Sequence, residues 1–172
     1  MAHPRILHMI TPLKHMSPFD VNMALDAGYD AAIPYTSVTV EDVTGLVQDA
    51  IFSRGPEGVK KTAMFIGGKR AIEALDMMKR AKAAMVPPFE ISVFADPAGS
   101  FTTAAAMVAC AETALKKTFS TELKGKRVVV FGGTGVVEAS VEGHVHVERA
   151  HMLERREHVQ NAGVPHDRVV SC

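Results

Sequence analysis

The sequence predicts an α/β protein whose first domain is a parallel sheet with helices on both faces, followed by the opening of a second, glycine-loop unit. Three observations predict it. Short apolar runs alternate with helix-patterned segments from residue 5 to residue 119, as expected of strand–helix–strand units whose crossovers cover a parallel sheet. The clearest of these runs stop at glycine- or aspartate-proline-bearing turns, the usual punctuation of strand ends. A last apolar run, Val128 to Phe131, leads at once into Gly132-Gly133-Thr134-Gly135, the order of a strand feeding a glycine loop.

Taken in chain order, Arg5 to Ile10 reads as the first strand. A helix from Pro18 to Ala27 follows, opened by Ser17 as N-cap with Pro18 at the first helical position and stopped at Gly28. Tyr29 to Tyr35 is a second extended run. Thr39 reads as the N-cap of the helix EDVTGLVQDAIF, with Glu41 and Asp42 placed where carboxylates suit the helix dipole. Thr62 to Ile66 is the clearest strand, and Gly67-Gly68 ends it. A helix from about Lys69 to Met85 runs up to the break at Pro87-Pro88. Phe89 to Ala95 is a fourth strand, and Asp96 to Ser100 a turn. The next helix carries the stripe Ala104, Val108, Ala111, Leu115 and Phe119. Ser120 to Arg127 is a polar linker.

Composition narrows the function classes. With 47% hydrophobic and 22% charged residues the chain has the makeup of a globular protein rather than a disordered one. Nineteen basic and nineteen acidic side chains cancel, so no electrostatic footprint for nucleic acid is present. The N-terminus has charges and no apolar run of signal-peptide length, and no stretch is long enough to span a membrane, so a cytoplasmic protein with no membrane partner is expected. Cys110 and Cys172 read as free thiols. From Glu138 to Cys172 the composition changes: this tail holds five of the eight histidines and no lysine, isoleucine, threonine or aromatic residue. It has the look of a changed reading frame or a foreign terminus. His144 and His146 share a strand face, but no carboxylate or cysteine completes a ligand set, so no metal site is expected.

The candidate sites are strand ends. Ligands of parallel sheets collect at the carboxyl ends of strands, where helix N-termini present free N–H groups. The turn Asp96 to Thr103 joins a strand end to a helix N-terminus, so Ser100, Thr102 and Thr103 are placed to hold a polar ring. The plainer alternative is that Ser100 only caps the helix. Gly67-Gly68-Lys69 stands at another strand end. The segment Thr11 to Asp20 follows the first strand and carries Lys14, His15 and Asp20 to the same rim, where a solvated loop lysine is the plainer reading of Lys14. The loop Gly132, Gly133, Thr134, Gly135 and Val136 has the form of a dinucleotide fingerprint and defines a shortened Rossmann-like segment. Its third fingerprint position is Glu138, where glycine or alanine is needed for close helix–strand packing.

The stretches LHMITPLKHMSPFDVNMALDAG, IFSR, FIGGK, VPPFEISVFADPAGSFTTAAAMVA and LKGKRVVVFGGTGVV occur in this order between about Arg5 and Val137. Together they resemble the methylene-tetrahydromethanopterin dehydrogenases of methylotrophic bacteria. The methylene-tetrahydrofolate dehydrogenases of the same group are similar mainly in the glycine-serine-threonine turn and the glycine loop. The resemblance implies a pterin-binding first domain over residues 1–100, a connecting helix and linker over 101–126, and a truncated NAD(P)-binding segment over 127–172. It implies transfer of a hydride from methylene-tetrahydromethanopterin to NAD or NADP, leaving a methenyl cation, in a homo-oligomeric enzyme of one-carbon metabolism. It further places the pterin against Lys14, His15, Asp20, Lys69, Ser100, Thr102 and Thr103. The cofactor would lie on Gly132, Gly133, Thr134, Gly135 and Val136. No acid–base dyad is required, because the pterin nitrogens stabilise the cation, and Asp20 or Asp96 would assist electrostatically. The chain departs from the family after Val137, so impaired turnover is expected. A non-catalytic pterin-binding module and an inactive fragment are the rival readings. The segment that reads the ribose is absent, so NAD and NADP are not distinguished.

Overall fold

The computed structural model describes residues 3–126, 128–130 and 147–149. It divides into two units, Met1–Ala98 and Gly99–Cys172. The first unit is a four-stranded sheet in the order β2-β1-β3-β4, where β1 is Ile6–Ile10, β2 Ala31–Tyr35, β3 Thr62–Ile66 and β4 Ser92–Ala95. All three pairings are parallel, running from Ile6↔Ala31 to Ile10↔Tyr35, from Ile6↔Thr62 to Ile10↔Ile66, and from Ala63↔Ser92 to Ile66↔Ala95. Parallel neighbours need crossovers, and helices supply them: α1 (Pro18–Asp26), α2 (Val43–Phe52), the short α3 (Pro56–Val59) and α4 (Ala71–Ala83).

Strand alternation sorts the side chains between two cores. Leu7 and Met9 of β1 and Ala63 of β3 are buried with Ala24 of α1, and Val21, Phe65 and Met16 pack against them. On the other face Ile10, Met64 and Ile66 are fully buried, as are Val43, Val47 and Ile51 of α2 and Met77 of α4. Helices therefore cover both faces, as the sequence predicts. β1 and β3, at the centre, are apolar on both faces, while the edge strand β2 leaves Ile33 41% exposed.

The start of α1 follows its sequence signals. Ser17 is the N-cap, its side chain accepting from the Asp20 N–H, with Pro18 in the first turn, and Gly28 stands just beyond the C-cap at φ +90°. The start of α2 differs from expectation. Thr39 Oγ1 accepts from the Asp42 N–H at 3.4 Å, and the Asp42 carboxylate accepts from both the Thr39 N–H and hydroxyl at 2.8 Å. This reciprocal bracket occupies residues 39–42, so the regular helix begins only at Val43. Helix α3 was not predicted, because four residues are too few to show a period. The fourth strand is shortened to Ser92–Ala95.

In the second unit, α5 (Ser100–Phe119) has Ala104 buried and Val108, Ala111 and Leu115 partly buried, whereas Phe119, the last residue of the predicted stripe, is 39% exposed. Strand β5 (Val128–Val130) pairs in parallel with β6 (Val147–Arg149).

Burial separates two outcomes in the first unit. Met64→Ala empties a site that is 1% exposed, and a loss of about 2–5 kcal/mol is expected in denaturant unfolding. Ile33→Ala on the open edge is expected to cost less than about 1 kcal/mol.

Candidate functional site

In the order β2-β1-β3-β4, the chain leaves β1 towards β2 and leaves β3 towards β4. Connections diverge between the two central strands, and a crevice opens at their carboxyl ends, where ligands of open α/β sheets bind. Backbone bonds carry the ladders one residue past the strands: Thr11 N–H to Tyr35 O at 3.0 Å, Gly67 N–H to Ile10 O at 2.9 Å, and Asp96 N–H to Ile66 O at 3.1 Å. The residue after each of β1, β3 and β4 is thus tied into the hydrogen-bond ladder of the sheet.

The glycines at the end of β3 allow the loops to meet. Gly68 has φ +132°, which favours glycine, and a Cβ there would lie 3.4 Å from Pro12 and 4.0 Å from Pro97. A Cβ on Gly67 would lie 3.3 Å from the Phe65 ring, 3.6 Å from Met16 Sδ and 3.8 Å from Asp20 Oδ2. The loops following β1, β3 and β4 therefore converge at Gly67-Gly68.

Two carboxylates stand at this convergence. Asp20 is carried there by the first turn of α1, and Asp96 is the residue after β4, 8% exposed. Burial, and then the negative charge of Asp96, pushes the Asp20 carboxyl above its ordinary value of 3.8. The site thus holds negative charge in partly desolvated surroundings, an arrangement that costs stability and is enriched at functional centres.

The other predicted residues are distributed more widely. Lys14 and His15 are exposed and line an open cavity of about 520 Å³ with Met16, Pro18, Val21, Asn22, Pro34 and Thr36. This cavity lies between α1 and the loops after β1 and β2, and Asp20 does not line it. Lys69 follows the glycine pair and is exposed. Ser100, Thr102 and Thr103 belong to the second unit, at the N-terminus of α5. Gly99, in left-handed conformation, occupies the N-cap there, so Ser100 is not the cap. The Ser100 hydroxyl is buried without a hydrogen-bond partner, and Thr102 Oγ1 donates to Gly99 O at 3.3 Å. Gly132, Gly133, Thr134, Gly135 and Val136 lie outside the described residues. Among the described residues no group of three or more His, Cys, Asp or Glu is placed to hold a metal ion. No described helix is long and apolar enough to cross a membrane.

Sequence reasoning overlooked Met16, Phe65 and Thr11. Met16 and Phe65 wall the Gly67 position. Thr11, 1% exposed, accepts the Leu13 N–H on its hydroxyl at 3.3 Å and the Val38 N–H on its carbonyl at 3.0 Å, tying the loop after β1 to that after β2. A buried threonine directly after an apolar strand was the available signal.

Residues 18–98 match the family described as methylene-tetrahydromethanopterin dehydrogenase, N-terminal. The chain is 67% identical over 132 residues to the NAD(P)-dependent methylenetetrahydromethanopterin dehydrogenase of Methylorubrum extorquens, an alignment covering 77% of this chain and 44% of that protein. It is 36% identical over 118 residues to the Bifunctional protein MdtA of the same organism, covering 69% of this chain and 40% of the relative. The chain thus spans less than half the length of these relatives.

The raised Asp20 value has a stability consequence. A carboxyl that titrates higher in the folded chain than in the unfolded one costs stability once ionised, and the cost develops as pH rises from about 3.8. Asp20→Asn is therefore expected to raise the melting temperature at neutral pH. The difference from the parent should vanish when melting is measured below the unfolded carboxyl value.

Proposed function

We propose that this chain, whose residues 18–98 carry the N-terminal domain of the methylene-tetrahydromethanopterin dehydrogenase family, holds the reduced pterin at the carboxyl ends of β1, β3 and β4. The reaction served is oxidation of the methylene bridge: the carbon–hydrogen bond breaks, its electron pair leaves as hydride, and a methenyl cation remains. NAD(P) supplies the hydride acceptor. The observation carrying this reading is the pair Asp20 and Asp96 beside the glycine convergence, with Asp20 already disfavoured as a second negative charge.

Such a site discriminates by charge. The uncharged methylene-bearing ring leaves the carboxylate repulsion in place, whereas positive charge developing on the pterin relieves it. No proton needs to move, which agrees with a site built of carboxylates and backbone. Lys14 and His15, in the cavity beside α1, and Lys69, exposed after the glycine pair, are proposed to meet polar or anionic substituents of the pterin, and Ser100, Thr102 and Thr103 its ring. The assignment of 1–100 to the pterin domain, 101–126 to a connection and 127–172 to a shortened nicotinamide segment, with Gly132, Gly133, Thr134, Gly135 and Val136 on the cofactor, belongs to the same proposal. So do the cytoplasmic location and the homo-oligomeric state.

Glu138 favours a second reading. A long anionic side chain occupies the fingerprint position that needs a small one, and a module that binds pterin without turnover accommodates it.

Equilibrium binding of methylene- and methenyl-tetrahydromethanopterin, followed by NAD(P)-dependent oxidation, tests both readings. The folded chain is expected to bind both pterins and to prefer the cation. Asp20→Asn is expected to reduce that preference by about tenfold, the scale of one partly shielded charge contact. Turnover selects the dehydrogenase, and binding without turnover selects the module. A folded chain that binds neither pterin overturns the proposal.

A further inference from the structure

On the sheet face opposite α1, a half-enclosed cavity of about 250 Å³ lies between α2 and the strands β1, β2 and β3. It owes nothing to the carboxylate site, which α1 serves from the other face. Ile10, Leu46, Ala50 and Met64 are its apolar lining residues, and His8, Tyr35, Asp49 and Ser53 its polar ones. Two periods bring these residues together. His8 and Ile10 share one face of β1 by strand alternation, and Leu46 and Asp49, three apart, share one face of α2.

The polar groups are organised. His8 Nδ1 lies 3.1 Å from the Tyr35 hydroxyl, and the two rings are tilted at 42° with centroids 5.7 Å apart. Burial, followed by the charge of Arg54, holds the His8 imidazole below its ordinary 6.5, so it is neutral at pH 7. Arg54 does not line the cavity. Its guanidinium donates to Thr62 Oγ1 at 2.8 Å and to Pro4 O at 3.0 Å, towards the opposite end of β1. The lining therefore carries one carboxylate, that of Asp49, two aromatic rings and no cationic side chain.

This chemistry selects the sign of a ligand. An anion would meet the Asp49 carboxylate in the lining itself, whereas Arg54 acts only from outside it, at the far end of β1. A cation gains the carboxylate as counter-charge and the negative faces of the Tyr35 and His8 rings. The size also selects: cavities for drug-sized molecules begin near 300 Å³, so this one suits a single ring with a short charged group.

We propose that the cavity between α2 and the sheet binds a small organic cation, an amidinium or ammonium on an apolar ring, with its charge at Asp49 and its ring against Tyr35, His8 and Leu46. Benzamidine is the probe and benzoate its anionic counterpart of the same shape. Each is titrated into the 172-residue chain while the ring resonances of His8 and Tyr35 are followed by NMR. Saturable shifts of both rings are expected with benzamidine, at a concentration roughly tenfold below any response to benzoate, the scale of one partly shielded charge contact. Asp49→Asn, at an exposed position of α2, is expected to abolish the preference for the cation while leaving the remaining amide spectrum unchanged. Tyr35→Leu should weaken benzamidine binding through loss of the ring. Equal responses to both probes, an unaltered preference in Asp49→Asn, or shifts that never saturate would each overturn the proposal.

Discussion

The parallel pairing of β1 with β3 is the constraint on which the rest of the structure depends. Two central strands with apolar residues on both faces must be covered twice, and only helical crossovers on opposite sides can do so. That requirement sends α1 to one face and α2 with α4 to the other. It also forces the connections to diverge at the carboxyl ends of β1 and β3. The crevice is thus a by-product of covering the sheet, and its position follows from the register Ile10↔Ile66. Thr11 and Gly67 follow that pair directly, and the Asp96 N–H bonds to Ile66 O.

Stability and chemistry pull apart at this crevice. Gly67 and Gly68 surrender side-chain packing so that three loops can meet, and Asp20 stays partly buried beside Asp96 although both are acids. Neither feature helps the chain fold. Proteins tolerate such costs where a ligand later relieves them. The surplus is supplied elsewhere, in the dense layer of Met64, Ile66, Val43, Val47, Ile51 and Met77. The rigid half of the domain stabilises the fold, and the glycine rim is left free for binding.

Much of this was legible in the sequence because the deciding interactions are local. Ser17, Pro18 and Gly28 mark the ends of α1 through backbone hydrogen bonds and φ preferences that depend on nearest neighbours. The apolar runs at β1 and β3 declare strands buried on both faces. The start of α2 was misplaced because Thr39 and Asp42 bond each other reciprocally, and a capping sequence does not reveal where the first regular turn begins. The role of Ser100 was likewise ambiguous on paper, since a serine before an apolar helix reads as a cap. Gly99 takes that place through a left-handed conformation that composition does not encode.

By itself, the sequence determined the α/β class, the order of β1 to β4 with the longer helices between them, and which loops follow strand ends, because periodicity and turn chemistry are short-range properties. Its long family-like stretches likewise pointed to the family whose N-terminal model residues 18–98 match. Tertiary structure alone decided which of those loops meet. Asp20 and Asp96 are far apart in the chain and become neighbours only through the order β2-β1-β3-β4. Lys14 and His15, close to Asp20 in sequence, line a different cavity, because they lie in the loop before α1 whereas Asp20 lies in its first turn. His8 and Tyr35 meet through the direct pairing of β1 with β2. Adjacent parallel strands bring together residues that the chain separates by a whole crossover, and no local pattern records that proximity.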